Sequence, residues 1–360
     1  MLNEMLEKRK LPPLRSRKEM VEILQREEYG YLPEVEWGIG TGEPELINNF
    51  ISGGSVVMDK IPFTVTTPNG SHTFSLYRMM HNDQKKRPFF ININFHDMDK
   101  GFYFPAEIIA DNSGFDVLYF NYTDVTSDDG DFTTGVAPLL LPNGRQTNTD
   151  CGKLMMWAWT AMRVMDYAET LPNLDLNNAA VIGHSRLGKT ALITSMLDTR
   201  FKFAFSNNAG CSGDSLSRGS RGYENPPEKW LPTTAGESIS FMTEVFPFWF
   251  CKNYLKYKDT NCSDEFDQHY LLASIAPRYV YVASASMDMW ADPESQQLCC
   301  LAASKAWERE GLKGFVHNDK FLEPGEALQD GHIGYHKRNG MHFLSYHDWV
   351  RYMEYMDKHN

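Results

Sequence analysis

The sequence predicts an α/β fold: a mostly parallel sheet with helices on both of its faces. From residue 88 onwards, short apolar runs alternate with helical patterns, which is typical of parallel sheets that are covered on both sides. A turn flanked by two glycines joins one of these strands to the following helix. Functional groups collect at the carboxyl ends of the strands in such sheets, so we expect the active residues there.

The N-terminal part of the chain predicts elements that precede this alternation. Residues 1–50 are expected to form a lead-in, the first 35 of them at the surface. Ser16 and Glu19 have the spacing of a capping box at the start of an amphipathic helix. Residues 54–80 alternate between apolar and polar side chains, and Asn69-Gly70 predicts a hairpin turn between two strands.

Five apolar runs predict the central strands, and two strong helical patterns lie between them. The strands are expected at residues 88–95, 116–121, 179–182, 203–206 and 279–284. Helices are expected at residues 105–112 and 153–171, and another helix closes the chain. Residues 123–150 are polar and predict a long loop over one edge of the sheet, whereas residues 212–260 predict an insertion over the active site. We therefore expect residues 1–360 to form a single domain.

Composition excludes several classes of partner. The formal net charge of −12 and the isoelectric point near 5.4 argue against binding to nucleic acid or to an anionic membrane surface. No stretch approaches the 18 apolar residues of a membrane span. The N-terminus has no apolar run of the signal-peptide type, which leaves a cytoplasmic protein or a mature form whose leader was removed. We expect the cytoplasm.

The six cysteines show neither CxxC spacing nor the density of a disulfide framework, so we expect them to be mostly free thiols. The sequence contains no HExxH motif, no P-loop and no GxGxxG after the first strand. No metal ion or organic cofactor is therefore expected.

The turn at Ser185 has the features of a nucleophile elbow, which lifts a serine hydroxyl out of a strand-to-helix turn. A strand is expected to end before Gly183, and a helical pattern begins at about Arg186. The spacing of Gly183, Ser185 and Gly188 is one residue longer than the usual G-x-S-x-G. A glycine-flanked turn with a buried serine is therefore the alternative interpretation.

A serine nucleophile requires a base and an acid that orients it, and in elbow-bearing folds these follow in the order acid, then histidine. Asp288 lies four residues after the strand that ends at residue 284, so we choose it as the acid. Asp292 precedes a proline and is better explained as a helix N-cap. His342 follows a glycine in the last loop, and we favour it as the base over His347 at the start of the final helix.

Two cations directly after the nucleophile are unusual, because positive charge at a helix N-terminus opposes the helix dipole. Arg186 and Lys189 are therefore candidates for stabilising an oxyanion and for binding a sugar hydroxyl or carboxylate. The alternative is a solvated first helical turn.

The stretch from Gly183 to Lys189 resembles the G-x-S-R-x-G-K signature of the glucuronoyl esterases, carbohydrate esterase family 15. It also resembles related bacterial esterases that are often called acetylxylan esterases. Further similar stretches lie at residues 246–250, 266–269, 290–293 and 340–349. The resemblance implies an α/β-hydrolase fold, a three-layer sandwich of sheet and helices.

Residue by residue, the resemblance implies that Ser185 is the nucleophile and His342 the base. It implies that Arg186 stabilises the oxyanion, that Lys189 contacts a sugar hydroxyl and that Trp290 forms a wall of the sugar pocket. For Trp290 the alternative is a core position.

The sequence departs from many family members in one place. They carry the acid as a glutamate after the strand that follows the elbow, whereas residues 207–213 here contain no glutamate. Other members carry the acid after the later strand, and Asp288 fits that arrangement. Within the insertion, Arg218 and Glu224 are candidates for binding polar substrate or for bracing the loop, and we favour bracing.

These features predict a serine carboxylic-ester hydrolase that cleaves the 4-O-methyl-glucuronoyl ester of xylan by two-step acyl transfer. One alternative is an esterase of acetylxylan or acetylated xylo-oligosaccharides. The alternative from another class is a catalytically silent carbohydrate-binding protein, which the missing glutamate favours and the intact serine, histidine and aspartate oppose.

Overall fold

The structure is a computed structural model that describes residues 1–98, 104–111, 114–224 and 236–360. Its strands are β1 Gly38–Thr41, β2 Glu45–Ile51, β3 Val56–Thr67, β4 Gly70–His81, β5 Arg87–Asn94, β6 Asp116–Asn121, β7 Leu174–His184, β8 Phe203–Asn207, β9 Tyr279–Ala285, β10 Ala327–Leu328 and β11 Ile333–Arg338. Its α-helices are α1 Leu2–Arg9, α2 Arg17–Leu24, α3 Ala106–Asp111, α4 Tyr122–Val125, α5 Ala137–Leu140, α6 Lys153–Ala168, α7 Arg186–Leu197, α8 Arg221–Glu224, α9 Ile239–Val245, α10 His269–Ala273, α11 Pro293–Glu308 and α12 Tyr346–Lys358.

All eleven strands of the described residues belong to one sheet. Its order is β1-β3-β4-β6-β5-β7-β8-β9-β11-β10, with β2 also paired to β3. The six central strands from β6 to β11 pair in parallel, and antiparallel strands extend the sheet at both ends. The parallel centre places the carboxyl ends of β7, β8 and β9 side by side, which brings their following loops together.

Two apolar cores, one on each face of the sheet, explain why most of the central strands contain apolar runs. On β5, Phe89 and Ile91 belong to the core that α6, α7 and α11 cover, whereas Phe90 belongs to the core under α3 and α12. Because successive side chains of a strand point to opposite faces, a strand buried on both faces needs an unbroken apolar run. The α/β-hydrolase-type arrangement of a parallel centre between helical layers confirms the predicted fold class.

Most predicted elements are confirmed within a few residues of their expected bounds. The helix predicted at residues 153–171 is α6, which ends at Ala168, and the strand predicted at 116–121 is β6. The capping box of Ser16 and Glu19 is present at the start of α2. Thr67 pairs with Gly70, so the hairpin turn lies one residue earlier than expected. Asn112, the predicted end of the helix at 105–112, lies outside the described residues.

The prediction that the first 35 residues lie at the surface is wrong. One face of α2 enters the core through Met20, Ile23 and Leu24. The turn after it buries Tyr29, whose hydroxyl donates a hydrogen bond to the Ser212 carbonyl oxygen at 3.1 Å. The amphipathic pattern was correct, but it fills a gap in the core instead of covering a surface.

All six cysteines are free thiols, as the sequence predicts. Cys299 and Cys300 lie in α11 and are buried in the core. Within the described ranges, no helix combines the length and the apolar character that a membrane crossing requires.

Candidate active site

Ser185 occupies a sharp turn between the end of β7 and the start of α7. Its backbone has φ 57° and ψ −128°, a conformation that costs energy in any residue with a side chain. A Cβ atom on Gly183 would lie 2.1 Å from the carbonyl oxygen of Leu187, so only glycine lets the first helical turn approach the strand this closely. The predicted strand-to-helix elbow is therefore present in the backbone.

Ser185, Asp288 and His342 line one cavity of about 330 Å³ at the carboxyl ends of the parallel strands. Asp288 follows β9, and His342 lies in the loop between β11 and α12. Residues more than 150 positions apart in the sequence therefore meet at one place, because parallel strands end at the same edge of the sheet.

Asp288 and His342 form a close hydrogen bond. The Nδ1 atom of His342 lies 2.6 Å from Oδ2 of Asp288, whose side chain is 2% exposed. Burial by itself would raise the pKa of Asp288, but the hydrogen bonds from His342 and Asn208 outweigh it and hold the pKa below its ordinary value. An ionised carboxylate can only accept, so Nδ1 of His342 carries a proton and donates it in this hydrogen bond.

Asn208 lies in the segment at residues 207–213, which contains no glutamate. Its Nδ2 atom donates to Oδ2 of Asp288 at 2.5 Å, and its left-handed φ of 51° is one that asparagine tolerates. Asp214 braces this segment by accepting hydrogen bonds from the Gly210 backbone and from Gln296, each at 2.8 Å. Sequence reasoning noted the missing glutamate here but not the amide that supports Asp288.

The loop that carries His342 is wrapped around a buried guanidinium group. Arg338 donates from Nη2 to the carbonyl oxygens of Met341, at 2.9 Å, and of Phe343. Its Nε atom lies 3.0 Å from Oδ2 of the fully buried Asp348. Burial alone would raise the pKa of Asp348, but His336 and Arg338 lower it to about 2. The position of His342 is therefore held from both sides, by Asp288 and by this loop.

The other histidines near the site have different surroundings. His184 lies with its ring centre 4.5 Å from that of His342, and its Nδ1 atom is 2.7 Å from Oδ1 of Asn207. Burial, together with the neighbouring imidazole of His342, lowers the pKa of His184 to about 3, so its ring stays neutral. His347 lines a separate hollow beside Phe343, away from Asp288.

Arg186 and Lys189 both line the cavity, and each has a carboxylate partner. Arg186 forms an ion pair with Asp128. Lys189 is almost fully buried, donates to the carbonyl oxygen of Ala209 and has its Nζ atom 3.3 Å from Oε2 of Glu237. Neither carboxylate belongs to a sequence motif, and sequence reasoning missed both.

The Phe and Trp side chains of the cavity come from the insertion, from the segment after β9 and, with Phe95, from the end of β5. Trp290 lines the cavity and packs edge-on against Phe241, with ring centres 4.9 Å apart. Phe246 and Trp249 stack with an interplanar angle of 6°. Phe246 and Trp249 of the insertion therefore line the cavity together with Trp290.

Three of the candidate residues lie outside this cavity lining. Asp292 caps α11, accepting from the Ser295 backbone at 3.2 Å and from its hydroxyl at 2.6 Å. Arg218 binds the Ser263 carbonyl oxygen and the Asp264 carboxylate, while Glu224 is exposed in α8. The contacts of Arg218 are those of the bracing role that we favoured, whereas Glu224 faces solvent; neither residue lines the cavity.

The described residues contain no group of three or more histidine, cysteine or acidic side chains that could hold a metal ion. What the cavity can offer is a strained serine, an oriented imidazole, two paired cations and an aromatic wall. Such a set suits attack on the carbonyl carbon of an ester. The acyl group would present polar groups to the cations and a flat apolar face to the aromatic wall.

Comparison with known proteins identifies similar sequences along most of the chain. A family model described as "Glucuronyl esterase, fungi" matches residues 63–311. Carbohydrate esterase MZ0003, from an unknown prokaryotic organism, is 37% identical over 208 residues, which cover 58% of this chain and 44% of that protein. A 4-O-methyl-glucuronoyl methylesterase of Hypocrea jecorina is 26% identical over 304 residues, which cover 82% of this chain and 57% of that one. The chain thus spans about half the length of these curated relatives.

Solved structures match the fold over nearly the whole chain. A glucuronoyl esterase from Solibacter usitatus superimposes with a TM-score of 0.81 at 27% identity, covering 95% of this chain and 91% of that one. A promiscuous CE15 esterase from a marine bacterial metagenome gives a TM-score of 0.79 at 26% identity, with coverages of 96% and 91%.

Proposed function

The chain belongs to the glucuronoyl esterase family, carbohydrate esterase family 15, and from this membership we propose that it is a serine esterase of glucuronoyl esters in xylan. The relatives named 4-O-methyl-glucuronoyl methylesterase support this choice of acyl group. The resemblance that the signature at residues 183–189 suggested is confirmed at the level of the family.

One observation carries the proposal: the cavity that contains the elbow serine also contains a histidine already hydrogen-bonded to a buried carboxylate. Histidine and carboxylate side chains meet in many proteins for structural reasons. Here the pair lines the same cavity as a serine held in a strained turn, and strain of this kind persists where function requires it.

In the proposed mechanism, Asp288 holds His342 in the tautomer whose Nε2 lone pair takes the proton of Ser185. The hydroxyl oxygen of Ser185 then forms a bond with the ester carbonyl carbon, and the negative charge moves to the carbonyl oxygen. Arg186 and the first backbone N–H groups of α7 stabilise that oxyanion. The alcohol leaves with the proton from His342, and water hydrolyses the acyl-enzyme by the reverse sequence of proton transfers.

The acyl group is proposed to lie between an aromatic and a charged wall. The indole face of Trp290 suits the apolar face of a pyranose ring, and Lys189 with Glu237 suits its hydroxyl groups because the pair supplies both a donor and an acceptor. The cavity of about 330 Å³ is at the small end of ligand pockets, which fits one sugar residue.

The test is a panel of esters given to the wild type, to Ser185→Ala and to the control Ser71→Ala, which changes an exposed serine of β4. We expect release of glucuronic acid from its benzyl ester by the wild type and the control. Ser185→Ala should lower kcat by about 10⁴-fold or more. A fluorophosphonate probe should label the wild type at Ser185 and leave the alanine variant unlabelled.

The outcomes separate the alternatives. Release of acetate from acetylxylan with no cleavage of the glucuronate ester would replace the proposed substrate. Absence of both turnover and fluorophosphonate labelling in a folded wild type would favour a silent carbohydrate-binding protein. Full activity of Ser185→Ala would overturn the serine mechanism altogether.

A further inference from the structure

Asp128 lies in the loop after α4 and collects hydrogen-bond donors from three parts of the chain. Its Oδ2 atom accepts from Arg186 and, at 2.9 Å, from the hydroxyl of Tyr122. Its Oδ1 atom accepts from Nε1 of Trp249 at 2.6 Å. The side chain of Asp128 is 13% exposed, so these bonds are largely screened from water and stronger than they would be at the surface.

The guanidinium group of Arg186 sits among aromatic rings that attract it without fixing its position. Its central carbon lies 4.7 Å from the ring centre of Trp249, 5.4 Å from Phe246 and 5.6 Å from Phe95. A cation can slide over such faces at little cost, because the attraction depends only weakly on position. A carboxylate bonded to Nη1 removes that freedom, since a charge-assisted hydrogen bond is directional.

The charge of Asp128 also offsets an unfavourable placement of Arg186. Arg186 is the first residue of α7, where the helix dipole disfavours positive charge. A paired carboxylate compensates for this and for the partial burial of the guanidinium. Nε of Arg186 is buried and has no hydrogen-bond partner among the described residues, so Arg186 keeps unused donor capacity next to Ser185.

Lys153 anchors the loop that carries Asp128. The ammonium group of Lys153, at the start of α6, donates to Oγ1 of Thr126 at 2.7 Å and to the carbonyl oxygen of Asp131. It also lies 4.7 Å from the ring centre of Phe132. Lys153 therefore holds the chain on both sides of Asp128, through the Thr126 hydroxyl before it and the Asp131 carbonyl oxygen after it.

We propose that Asp128 is the positioning residue for Arg186: it holds the guanidinium where the oxyanion of the ester forms, and through Trp249 it fixes the aromatic wall of the same cavity. This role rests on the esterase function proposed above. The polar loop at residues 123–150 thus contributes to the site, a contribution that its sequence does not reveal.

A double-mutant cycle on benzyl glucuronate hydrolysis tests the proposal. Asp128→Asn keeps the size of the side chain and removes its charge. We expect kcat to fall about 10- to 100-fold, approaching the loss of one oxyanion donor, with KM changed less than about threefold because the oxyanion exists only in the transition state. In the Arg186→Ala background the same change should cost almost nothing further. Asp129→Asn, a neighbouring change at an exposed carboxylate, should leave kcat unaltered.

Other outcomes contradict the proposal. Equal losses from Asp128→Asn with and without Arg186 would show that Asp128 supports the fold and not the guanidinium. An unchanged kcat in Asp128→Asn would remove the role directly. Asp128→Glu, which retains the charge, should recover part of the lost activity, and failure of that rescue would count against positioning by charge. Thermal unfolding of each variant identifies those that do not fold.

The rate of Ser185 labelling by a fluorophosphonate separates this proposal from the esterase function. In that reaction the serine oxygen bonds to phosphorus, fluoride leaves and His342 receives the serine proton, while the phosphoryl oxygen gains charge as an ester oxygen would. If the wild type labels but cleaves none of the esters, the proposed substrate fails, and slower labelling of Asp128→Asn still supports positioning. Equal labelling rates in the two proteins would overturn it.

Discussion

One side of the cavity carries the groups that we propose transfer protons, whereas the other side carries two cations that are each held by a carboxylate. The relay side consists of Ser185, His342 and Asp288. Its members come from three loops that follow β7, β9 and β11, and one carboxylate serves the whole line. His342 stays 35% exposed at its side chain, as a group that exchanges protons with substrate and water requires.

The cation side consists of Arg186 with Asp128 and Lys189 with Glu237. Both cations lie in the first turn of α7, one and four residues after the nucleophile, but their carboxylates come from distant segments. The difference teaches that a proton-transfer group needs one end free to reach the substrate. A cation that binds substrate in a partly buried cavity needs a carboxylate that neutralises its charge. Without a carboxylate partner, the desolvation of a buried ammonium or guanidinium group would cost more free energy than its contacts with substrate contribute.

On the relay side, neutralising the carboxylate of Asp288 is expected to cause the largest loss of activity. In Asp288→Asn we expect kcat for benzyl glucuronate to fall by about 10⁴-fold, because an amide no longer fixes the tautomer and charge of His342. KM should change little. The matched control is Asp292→Asn, which keeps a residue that caps helices about as well as aspartate and should leave kcat unaltered. Near-full activity of Asp288→Asn combined with inactivity of Asp292→Asn would mean that the acid was chosen wrongly.

The buried groups that hold the loop of His342 can be changed without altering Ser185, His342 or Asp288. Asp348→Asn leaves Arg338 and His336 without their buried carboxylate, and breaking a buried ion pair costs about 3–5 kcal/mol. We expect urea unfolding to report a loss of that size, and kcat to fall because the loop of His342 is wrapped around Arg338. Glu354→Gln, on the exposed face of the same helix, should change neither quantity.

The pH dependence of that loss follows from the lowered pKa of Asp348, about 2 in the folded protein. An unfolded aspartate has a pKa of about 3.9. A carboxylate whose pKa falls on folding contributes stability that is present above the unfolded value and disappears as the pH drops through the folded value. The stability difference between wild type and Asp348→Asn should therefore shrink between about pH 4 and pH 2. A difference that stays constant over this interval would exclude Asp348 as its source.

The relay side and the fold around it could be predicted from the sequence because local rules govern them. Glycine spacing determines the elbow at Ser185, and an apolar run determines β9, which precedes Asp288. The strand before His342, β11, was not predicted, because His336, Lys337 and Arg338 leave it without an apolar run. The prediction failed where partners are far apart in the chain and have no motif. Asp128 lies in a segment that the sequence predicted only as a loop. Glu237 lies in a segment that the sequence predicted only as an insertion over the active site. No local pattern encodes which distant carboxylate neutralises a given cation.

Tyr29 illustrates the same limit within the fold. An amphipathic helix near the N-terminus correctly implied one apolar face, but periodicity does not say whether that face covers a surface or fills a core. Burial of Tyr29 depends on Ser212, more than 180 residues away. Such tertiary packing overrides the expectation that terminal segments lie outside.

The cation side should respond mainly in substrate binding. In Glu237→Gln, Lys189 loses its charged partner, whose carboxylate oxygen lies 3.3 Å from Nζ. We expect KM for benzyl glucuronate to rise about tenfold, since hydrogen bonds to charged groups are worth about 1.5–3 kcal/mol, with a smaller change in kcat. KM for a simple acetate ester should stay the same because that acyl group has no hydroxyls. Glu244→Gln, an exposed change in α9, is the control.

If kcat in Glu237→Gln fell as steeply as in Asp288→Asn while KM stayed constant, the two sides would not be separable. Glu237 would then act on the reacting groups, and the division between proton transfer and binding would fail.

The smallest effect is expected outside both sides, at Arg218. Its guanidinium binds the Ser263 carbonyl oxygen and Asp264, joining the insertion to the segment that follows it. Because these bonds lie near the surface, Arg218→Ala should cost no more than about 1 kcal/mol of unfolding free energy and should leave kcat and KM unaltered. If the KM of Arg218→Ala instead rose as in Glu237→Gln, the hydrogen bonds of Arg218 would have to influence the shape of the cavity. The aromatic wall would then depend on the whole insertion and not on the carboxylate of Asp128 alone.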